Sequence, residues 1–354
     1  MNNLDPRIFA QSFSQVALTV TAVVVAAAAI ALLVYIVLQR WLKWRFALPI
    51  VLIAPAAIGL LLLVAYPIAY NVGLAFSDMN IRRFLPEDRS YGLLQFWENI
   101  RSVFTAPVLR QVMFFPLLLR TMLWTAIQVV AHVSLGLFLA VLLNRPMRMR
   151  AVYRTILLFP WAIPQVVAVM AWRGEFNFQF GYFNVLLRTV GLEPINWMSS
   201  PFWNFVAINL TNIWLGVPFM TVILLGGLQS INRSLYEAAE MDGAGKPGQF
   251  RRITLPLIQP VMTPAIVLGV IWTFNNFNIP FFINQQELET SDILVTALFR
   301  SAFVYFRYGF ASAFALIIFA ILLVFTMIYM RVAKFELDLG TKRAMGAKPL
   351  GVRR

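Results

Sequence analysis

Residues 237–256 read EAAEMDGAGKPGQFRRITLP and sit between two long apolar runs. Ser234, just upstream, is placed to cap a short helix reaching about Glu240, with acids near the helix start where the backbone dipole favours them. Gly243 and Gly245 permit a sharp turn, including one with positive φ. Pro247 suits the first turn of a second short helix. The segment therefore reads as a helix–turn–helix elbow. Its small Ala side chains would let it approach another surface closely. From composition alone an ordinary amphipathic loop is the better reading.

Working outward, apolar stretches long enough to cross a bilayer as helix occupy 16–38, 49–76, 121–143, 155–172, 202–228, 260–282 and 308–330. Helix is the expected form, because a backbone in lipid must satisfy its polar groups within the segment. The ~10-residue alternation of a membrane barrel is absent. The fourth stretch is the shortest and carries Pro160 and Pro164, so a kink is expected there. The fold class is therefore an all-α integral membrane protein with about seven transmembrane helices. Composition agrees: 60% of the 354 residues are hydrophobic and 12% charged, too apolar for a soluble globule. With no cysteine, disulfides and thiolate metal sites are excluded, and the single His132 gives no His-rich metal site.

The net charge of +14 is unevenly placed. Arg40, Lys43 and Arg45 follow the first stretch, and Arg145, Arg148, Arg150 and Arg154 follow the third. Arg233, Lys246, Arg251 and Arg252 flank the elbow. Arg331, Lys334, Lys342, Arg343, Lys348, Arg353 and Arg354 end the chain. These are 18 of the 29 basic residues, against the acids Glu237, Glu240, Asp242, Glu336 and Asp338. The positive-inside rule puts this side in the cytoplasm. The C-terminus is then cytoplasmic and, after seven crossings, the N-terminus outside. A cleaved signal peptide fits the first stretch less well than a retained helix, since no basic region precedes it and Arg40, Lys43 and Arg45 follow it. Residues 1–15, with Phe9 and Phe13, are expected on the outer membrane surface. The connection 77–120 is expected to pack partly as short helices on the bundle, and Arg120 to snorkel to the outer interface.

The elbow string resembles the signature loop of permease subunits in binding-protein-dependent ABC importers. That family's pattern is Glu-Ala-Ala, two residues, Asp-Gly-Ala, a spacer, then aliphatic-x-Leu-Pro. Glu237-Ala238-Ala239, Asp242-Gly243-Ala244 and Ile253-Thr254-Leu255-Pro256 match each element. The resemblance implies a type I ABC importer permease fold, a six-helix core plus an N-terminal helix. It also implies that Glu237, Ala238, Ala239, Asp242, Gly243 and Ala244 form a coupling helix docked in a cleft of a separate ATPase subunit. Trp214-Leu215-Gly216-Val217-Pro218-Phe219-Met220 and Trp272-Thr273-Phe274-Asn275-Asn276-Phe277 further resemble the maltose-type permeases of carbohydrate importers. The likeness implies a sugar-binding set at Leu215, Gly216, Phe219, Trp272, Thr273, Asn275 and Asn276. Two departures touch specificity: Thr273 stands where the maltose subunit has an amide, and Gly269 where it has a hydroxyl. The enterobacterial subunit also carries a large outer domain where this chain has only the short 77–120 connection.

Spacing alone leaves these polar residues open to two readings. Asn209, Asn212 and Gly216 share one helical face, and Gly269, Thr273 and Asn276 are spaced to share another. Such amides either bond neighbouring helices or line a wet cavity. Amides donate to and accept from hydroxyls, and Phe219 and Trp272 offer flat apolar faces suited to sugar rings. Gln128 and His132 share a face at i, i+4; a proton relay needs an acidic partner that their helix lacks, so packing is the expected role.

No phosphate-binding loop occurs: Gly245-Lys246-Pro247 lacks the preceding glycine and the hydroxyl. No catalytic residue and no metal ligand is expected. The chain reads as a non-enzymatic transport subunit that binds no cofactor, with ATP and Mg used by a partner ATPase. Its expected partners are a second permease subunit, a dimer of ATPase subunits, an extracytoplasmic sugar-binding protein, the sugar and membrane lipid, with no nucleic acid. The expected organisation is 1–46 as an N-terminal helix and linker, 47–335 as the permease core with coupling loop 229–258, and 336–354 as a basic cytoplasmic tail. The expected location is a bacterial or archaeal cytoplasmic (inner) membrane. A malto-oligosaccharide or related α-glucoside is the expected substrate. Glycerol phosphate, a peptide or an amino acid is the alternative within the family. An ion-coupled carrier is the rival from another class, and the spans contain no Asp or Glu to support it.

Overall fold

The computed structural model describes residues 6–41, 43, 46–284 and 291–346. Arg45, Lys348, Arg353 and Arg354 lie outside these residues. So do the side chains of Phe9, Phe13, Lys334, Glu336, Asp338, Lys342 and Arg343. The chain divides into two compact units, Met1–Gly73 and Leu74–Arg354.

Helix is the only extended regular structure among the described residues. In chain order the elements are α1 (Pro6–Ile36), α2 (Ala47–Leu60), α3 (Tyr66–Ala75), α4 (Leu93–Thr105) and α5 (Phe114–Asn144). There follow α6 (Arg150–Ala162), α7 (Gln165–Glu175), α8 (Tyr182–Thr189), α9 (Pro201–Gln229) and α10 (Arg233–Met241). The last are α11 (Lys246–Gln249), α12 (Leu255–Phe274), α13 (Asn278–Asn284), α14 (Leu294–Phe299) and α15 (Tyr308–Gly346). In the first unit α1 accounts for the stretch at 16–38. A π turn, Leu61–Ala65, joins α2 to α3 just before Pro67. It falls where the proline ring would otherwise meet the carbonyl of an unbroken helix.

Among the described residues, five segments are long and apolar enough to cross a membrane: Leu48–Ala75, Phe114–Asn144, Pro201–Gln229, Lys246–Asn284 and Tyr308–Arg331. The fourth apolar stretch is not a straight span. It forms α6 and α7, bent by 90°. The sequence placed a kink there, and the reason is local: Pro164, just ahead of α7, lacks the N–H that would continue the ladder.

The centre of the second unit is α9, buried over 61% of its most apolar window, against 28% for α5. It meets α5 through an interlock of small and large side chains. A Cβ added to Gly216 would lie 2.3 Å from the His132 ring, and one added to Gly136 would lie 2.8 Å from Cγ of Met220. The His132 ring occupies the room Gly216 leaves, and Met220 the room left by Gly136. His132 Nε2 donates to the Asn212 carbonyl at 3.1 Å, and Gln128 Nε2 donates to Asn209 Oδ1 at 2.8 Å. Residue numbers rise together along this seam, so α5 and α9 run parallel. The bent pair α6–α7 therefore has to carry the chain back across the bundle between them. In α12 the direction reverses: Ile258 packs at Gly227 near the end of α9, while Trp124 Nε1, early in α5, donates to the Thr273 carbonyl at 2.9 Å.

The connection 77–120 does pack on the bundle as helix. Asn99 of α4 donates to the carbonyls of Ala75 and Ser77 at 3.0 and 2.8 Å. At the start of α15, a Cβ on Gly309 would fall 2.2 Å from the Ser77 carbonyl oxygen, so only glycine fits there. Arg120 does not snorkel free. Its Nη1 donates to the Asp292 carbonyl at 2.9 Å, beside a buried Asp292–Arg300 ion pair of 2.8 Å.

Gly216→Ala should force the His132 ring out of its slot and lower the thermal midpoint of the detergent-solubilised protein. Overpacking of this kind costs about 1–3 kcal/mol. Adding His132→Ala to the same chain should recover most of the loss. A double variant no more stable than the single one would refute the interlock.

Candidate functional site

Two features carry chemistry, and α9 joins them. The first is a cavity of about 550 Å³. Its walls come from the end of α6, the start of α7, the middle of α9 and the end of α12. Leu215, Gly216, Phe219, Trp272, Thr273, Asn275 and Asn276, the seven residues singled out from sequence, all line it.

The route by which some of them arrive differs from the periodicity. Helix α12 ends at Phe274, so Asn276 is not on its face. It lies in the break before α13, where its Oδ1 accepts from the Ile279 backbone N–H at 3.2 Å. Its Nδ2 approaches Asn212 Oδ1 at 3.5 Å. Asn275 turns back on its own helix, donating to the Ile271 carbonyl at 3.0 Å. Asn212 is buried, and its Nδ2 has no protein partner among the described residues. That leaves one hydrogen-bond donor unspent in the cavity wall. The Asn209 face supports the packing reading, since its amide is spent on Gln128 and the Phe205 carbonyl.

Aromatic rings form the apolar part of the lining. Phe219 lies between Trp161 at 6.0 Å and Trp272 at 5.1 Å, centroid to centroid. His132 reaches the wall too, but its Nε2 proton is spent on the Asn212 carbonyl, the packing role expected of it. The described residues of the lining include no Asp, Glu, Lys or Arg. Sequence reasoning missed Trp161, Gln165 and Asn278. The available signal was the Pro160–Pro164 pair, because a broken helix turns its end residues toward the break.

The second feature is the elbow. Helix α10 begins at Arg233, and its cap is Asn232, not Ser234: Asn232 Oδ1 accepts from the Ser234 backbone N–H at 3.0 Å. Asn232 has the extended backbone that a cap requires and lies one residue ahead of the helix. At the other end Ala244 N–H donates to the Ala239 carbonyl at 2.8 Å and Gly243 N–H to the Glu240 carbonyl at 3.0 Å. With Gly243 at φ +78°, this is a Schellman stop. The Asp-Gly-Ala string is thus the local code for ending α10.

The turn is closed on itself. Lys246 Nζ donates to Glu240 Oε1 at 2.8 Å, and that bond, with the ammonium charge, holds the Glu240 carboxyl below its ordinary pKa. Tyr236 and Thr254 share a hydroxyl–hydroxyl bond of 2.9 Å. Glu237, Ala238, Asp242 and Gly243 are exposed, while Ala239 and Ala244 are half-buried on the inner side of the turn. Met241, which the sequence reading passed over, is 89% exposed at the tip. Asn144 and Arg145, at the end of α5, share a cavity with Tyr236 and Glu237. The Arg145 cluster and the elbow therefore lie at the same end of the bundle.

Residues 132–335 match the family described as binding-protein-dependent transport system inner membrane component. The chain is 36% identical over 302 residues to a sulfoquinovosyl glycerol transport system permease protein of Agrobacterium fabrum, covering 84% of this chain and 95% of that one. It is 36% identical over 221 residues to a trehalose/maltose transport system permease protein of Thermococcus litoralis, 62% of this chain and 74% of the relative. Among solved structures, a chain of a bacterial ABC transporter that imports the acidic polysaccharide alginate superposes with a TM-score of 0.70 at 22% identity. That match covers 82% of this chain and 96% of the other.

Asn212→Leu should leave thermal stability within about 1 kcal/mol of the parent, because its Nδ2 has no partner and its Oδ1 gives up only the long 3.5 Å bond from Asn276. Asn209→Leu should cost more, about 1–3 kcal/mol, by removing the shorter of the two buried bonds of the Gln128 amide and leaving it only the 3.2 Å bond to the carbonyl of residue 209. Equal losses in thermal unfolding would contradict this division of roles.

Proposed function

Because the chain belongs to the family of inner membrane components of binding-protein-dependent transport systems, we propose that it carries an uncharged sugar across the cytoplasmic membrane, coupled to separate ATPase subunits through the 237–244 elbow. The observation that carries the sugar assignment is the cavity: aromatic faces, amides and an unspent donor, with no formal charge in the wall. Amides match hydroxyls in both directions. A phosphate, sulfonate or zwitterion taken into such a chamber would lose water without gaining an opposite charge. That argues against glycerol phosphate and amino acids. The named relatives are permeases for sulfoquinovosyl glycerol and for trehalose/maltose. The neutral lining favours the second kind, a malto-oligosaccharide or related α-glucoside.

The coupling assignment has separate support. The elbow presents exposed Glu237, Ala238, Asp242 and Gly243 around an exposed Met241. A large apolar side chain held in solvent on a rigid turn is an economical contact for another protein. The cationic surroundings of the elbow favour a cytoplasmic position, where the ATPase dimer would dock. A second permease would complete the path, and an external binding protein would deliver the sugar. The assembly would alternate between two openings whose balance both partners bias.

Gly243 separates coupling from folding. Open space surrounds its Cβ position, so the cost of substitution there is conformational. Valine at φ +78° is strained by about 1–2 kcal/mol, whereas asparagine tolerates that region. In vesicles holding the assembled transporter, Gly243→Val should abolish ATP-driven uptake of radiolabelled maltose or trehalose, and Gly243→Asn should retain most of it. Normal coupling in the valine variant would remove the docking assignment. Preferential uptake of glycerol phosphate would overturn the substrate class, as would uptake without any ATPase subunit the mechanism.

A further inference from the structure

The loop after α5 and the first turns of α6 hold four arginines that no acid balances among the described residues. Arg145, Arg148 and Arg150 are exposed and make no ion pair there. Glu237 and Glu240 share a cavity with Arg145, but they are already paired, with Arg233 at 3.3 Å and with Lys246 at 2.8 Å. Arg154 is drawn inward. It lies one turn along α6 from Arg150, on the same face, and one turn before Leu157, which packs on the apolar cluster around Leu224 of α9. Its Nε and Nη2 are shut off from solvent and have no hydrogen-bond partner among the described residues. A guanidinium withdrawn from water in this way is costly unless an anion meets it. The start of α6 favours the same kind of ligand. Met149 supplies no side-chain cap, and the Tyr153 N–H is the one that bonds back to the Met149 carbonyl. The N–H groups ahead of it are left open to an anion.

The neighbouring surface narrows the choice of anion. Met149, Val152, Ile156 and Phe159 recur at the spacing of one helical face, and all are exposed. This apolar stripe begins beside the arginines and runs along α6 toward its bend into α7. Helix α6 is the first half of a broken span, and its basic end lies with the elbow, on the side that the charge distribution favours as cytoplasmic. A free phosphate would use the cations and leave the stripe bare. A phospholipid uses both, with its phosphate at the basic end and its acyl chains along the stripe.

We propose that Arg145, Arg148, Arg150 and Arg154 bind the phosphate of one anionic phospholipid of the cytoplasmic leaflet, whose chains lie on the exposed face of α6. The site is separate from the sugar cavity and does not rest on the sugar reading. A zwitterionic lipid carries a phosphate too, but its ammonium group would add a further cation to the cluster. The site therefore selects for net negative charge.

The test uses the full chain purified in detergent, with dioleoyl-phosphatidylglycerol, dioleoyl-phosphatidylcholine and inorganic phosphate as probes. Native mass spectrometry should show phosphatidylglycerol retained in preference to phosphatidylcholine of the same chains. Arg150→Gln with Arg154→Gln should weaken that retention by about 30-fold, the order of two lost cations at an anionic lipid surface. Arg150→Lys with Arg154→Lys should keep most of it. In lipid-free detergent Arg154→Gln should unfold no earlier than the parent, because the charge it removes has no protein partner to lose. Added phosphatidylglycerol should raise the thermal midpoint of the parent and not that of the double Gln variant. Equal retention of the two lipids by the parent, or undiminished retention by the double Gln variant, overturns the site. Displacement of the lipid by inorganic phosphate shows a free-phosphate site and overturns the lipid assignment. Loss of the other transporter subunits from Arg154→Gln, with lipid retention unchanged, gives the cluster to an acid on a partner protein and does the same.

Discussion

The contact on which the rest of the molecule depends is the seating of His132 against Gly216. It brings α5 and α9 so close that one side must be bare of a side chain, and it fixes their register by bonding the ring to the Asn212 carbonyl. Buried in the seam, the ring N–H needs an acceptor, so this bond resists sliding as well as separation. Two parallel neighbours cannot be joined by a short loop. Their pairing therefore demands the returning segment at α6–α7, whose bend supplies one wall of the cavity. The same pairing places the end of α5 beside the elbow.

Helix α9 connects the two working parts. Its middle carries Asn212, Leu215, Gly216 and Phe219 at the cavity, and its end passes directly into the cap of α10. Between them lies an apolar cluster that includes Leu224, Leu225 and Leu228, packed against Ala140 and Leu143 of α5 and Ile258 of α12. A load applied to the elbow meets close-packed side chains rather than a flexible linker. Interiors packed in this way transmit displacement and store little of it.

What the sequence made legible follows from how local the cause is. The elbow was readable almost residue by residue, because a Schellman stop needs only Gly243 at C′ and Asp242 before it. The one slip there, Ser234 for Asn232, is a shift of cap position within the same chemistry. The spans at 49–76, 121–143, 202–228, 260–282 and 308–330 were readable from length and apolarity, whereas α6–α7 is bent by 90° rather than kinked. Asn276 was placed correctly at the cavity but for the wrong reason: periodicity kept it on α12, whereas it caps α13. For Trp161, Gln165 and Asn278 the Pro160–Pro164 pair marked a break, but no spacing rule links a residue at 161 to one at 278. Only the meeting of two helix breaks does so.

The uncharged wall of the cavity has an electrical consequence. A unit charge crossing a membrane polarised by 100 mV exchanges about 2.3 kcal/mol with the field. The described residues of the lining include no acid, lysine or arginine, so their movement would sweep no permanent charge through that field, and the neutral cargo proposed above would add none. On the sugar reading, a change of the membrane potential would then leave this step without an electrical load of its own.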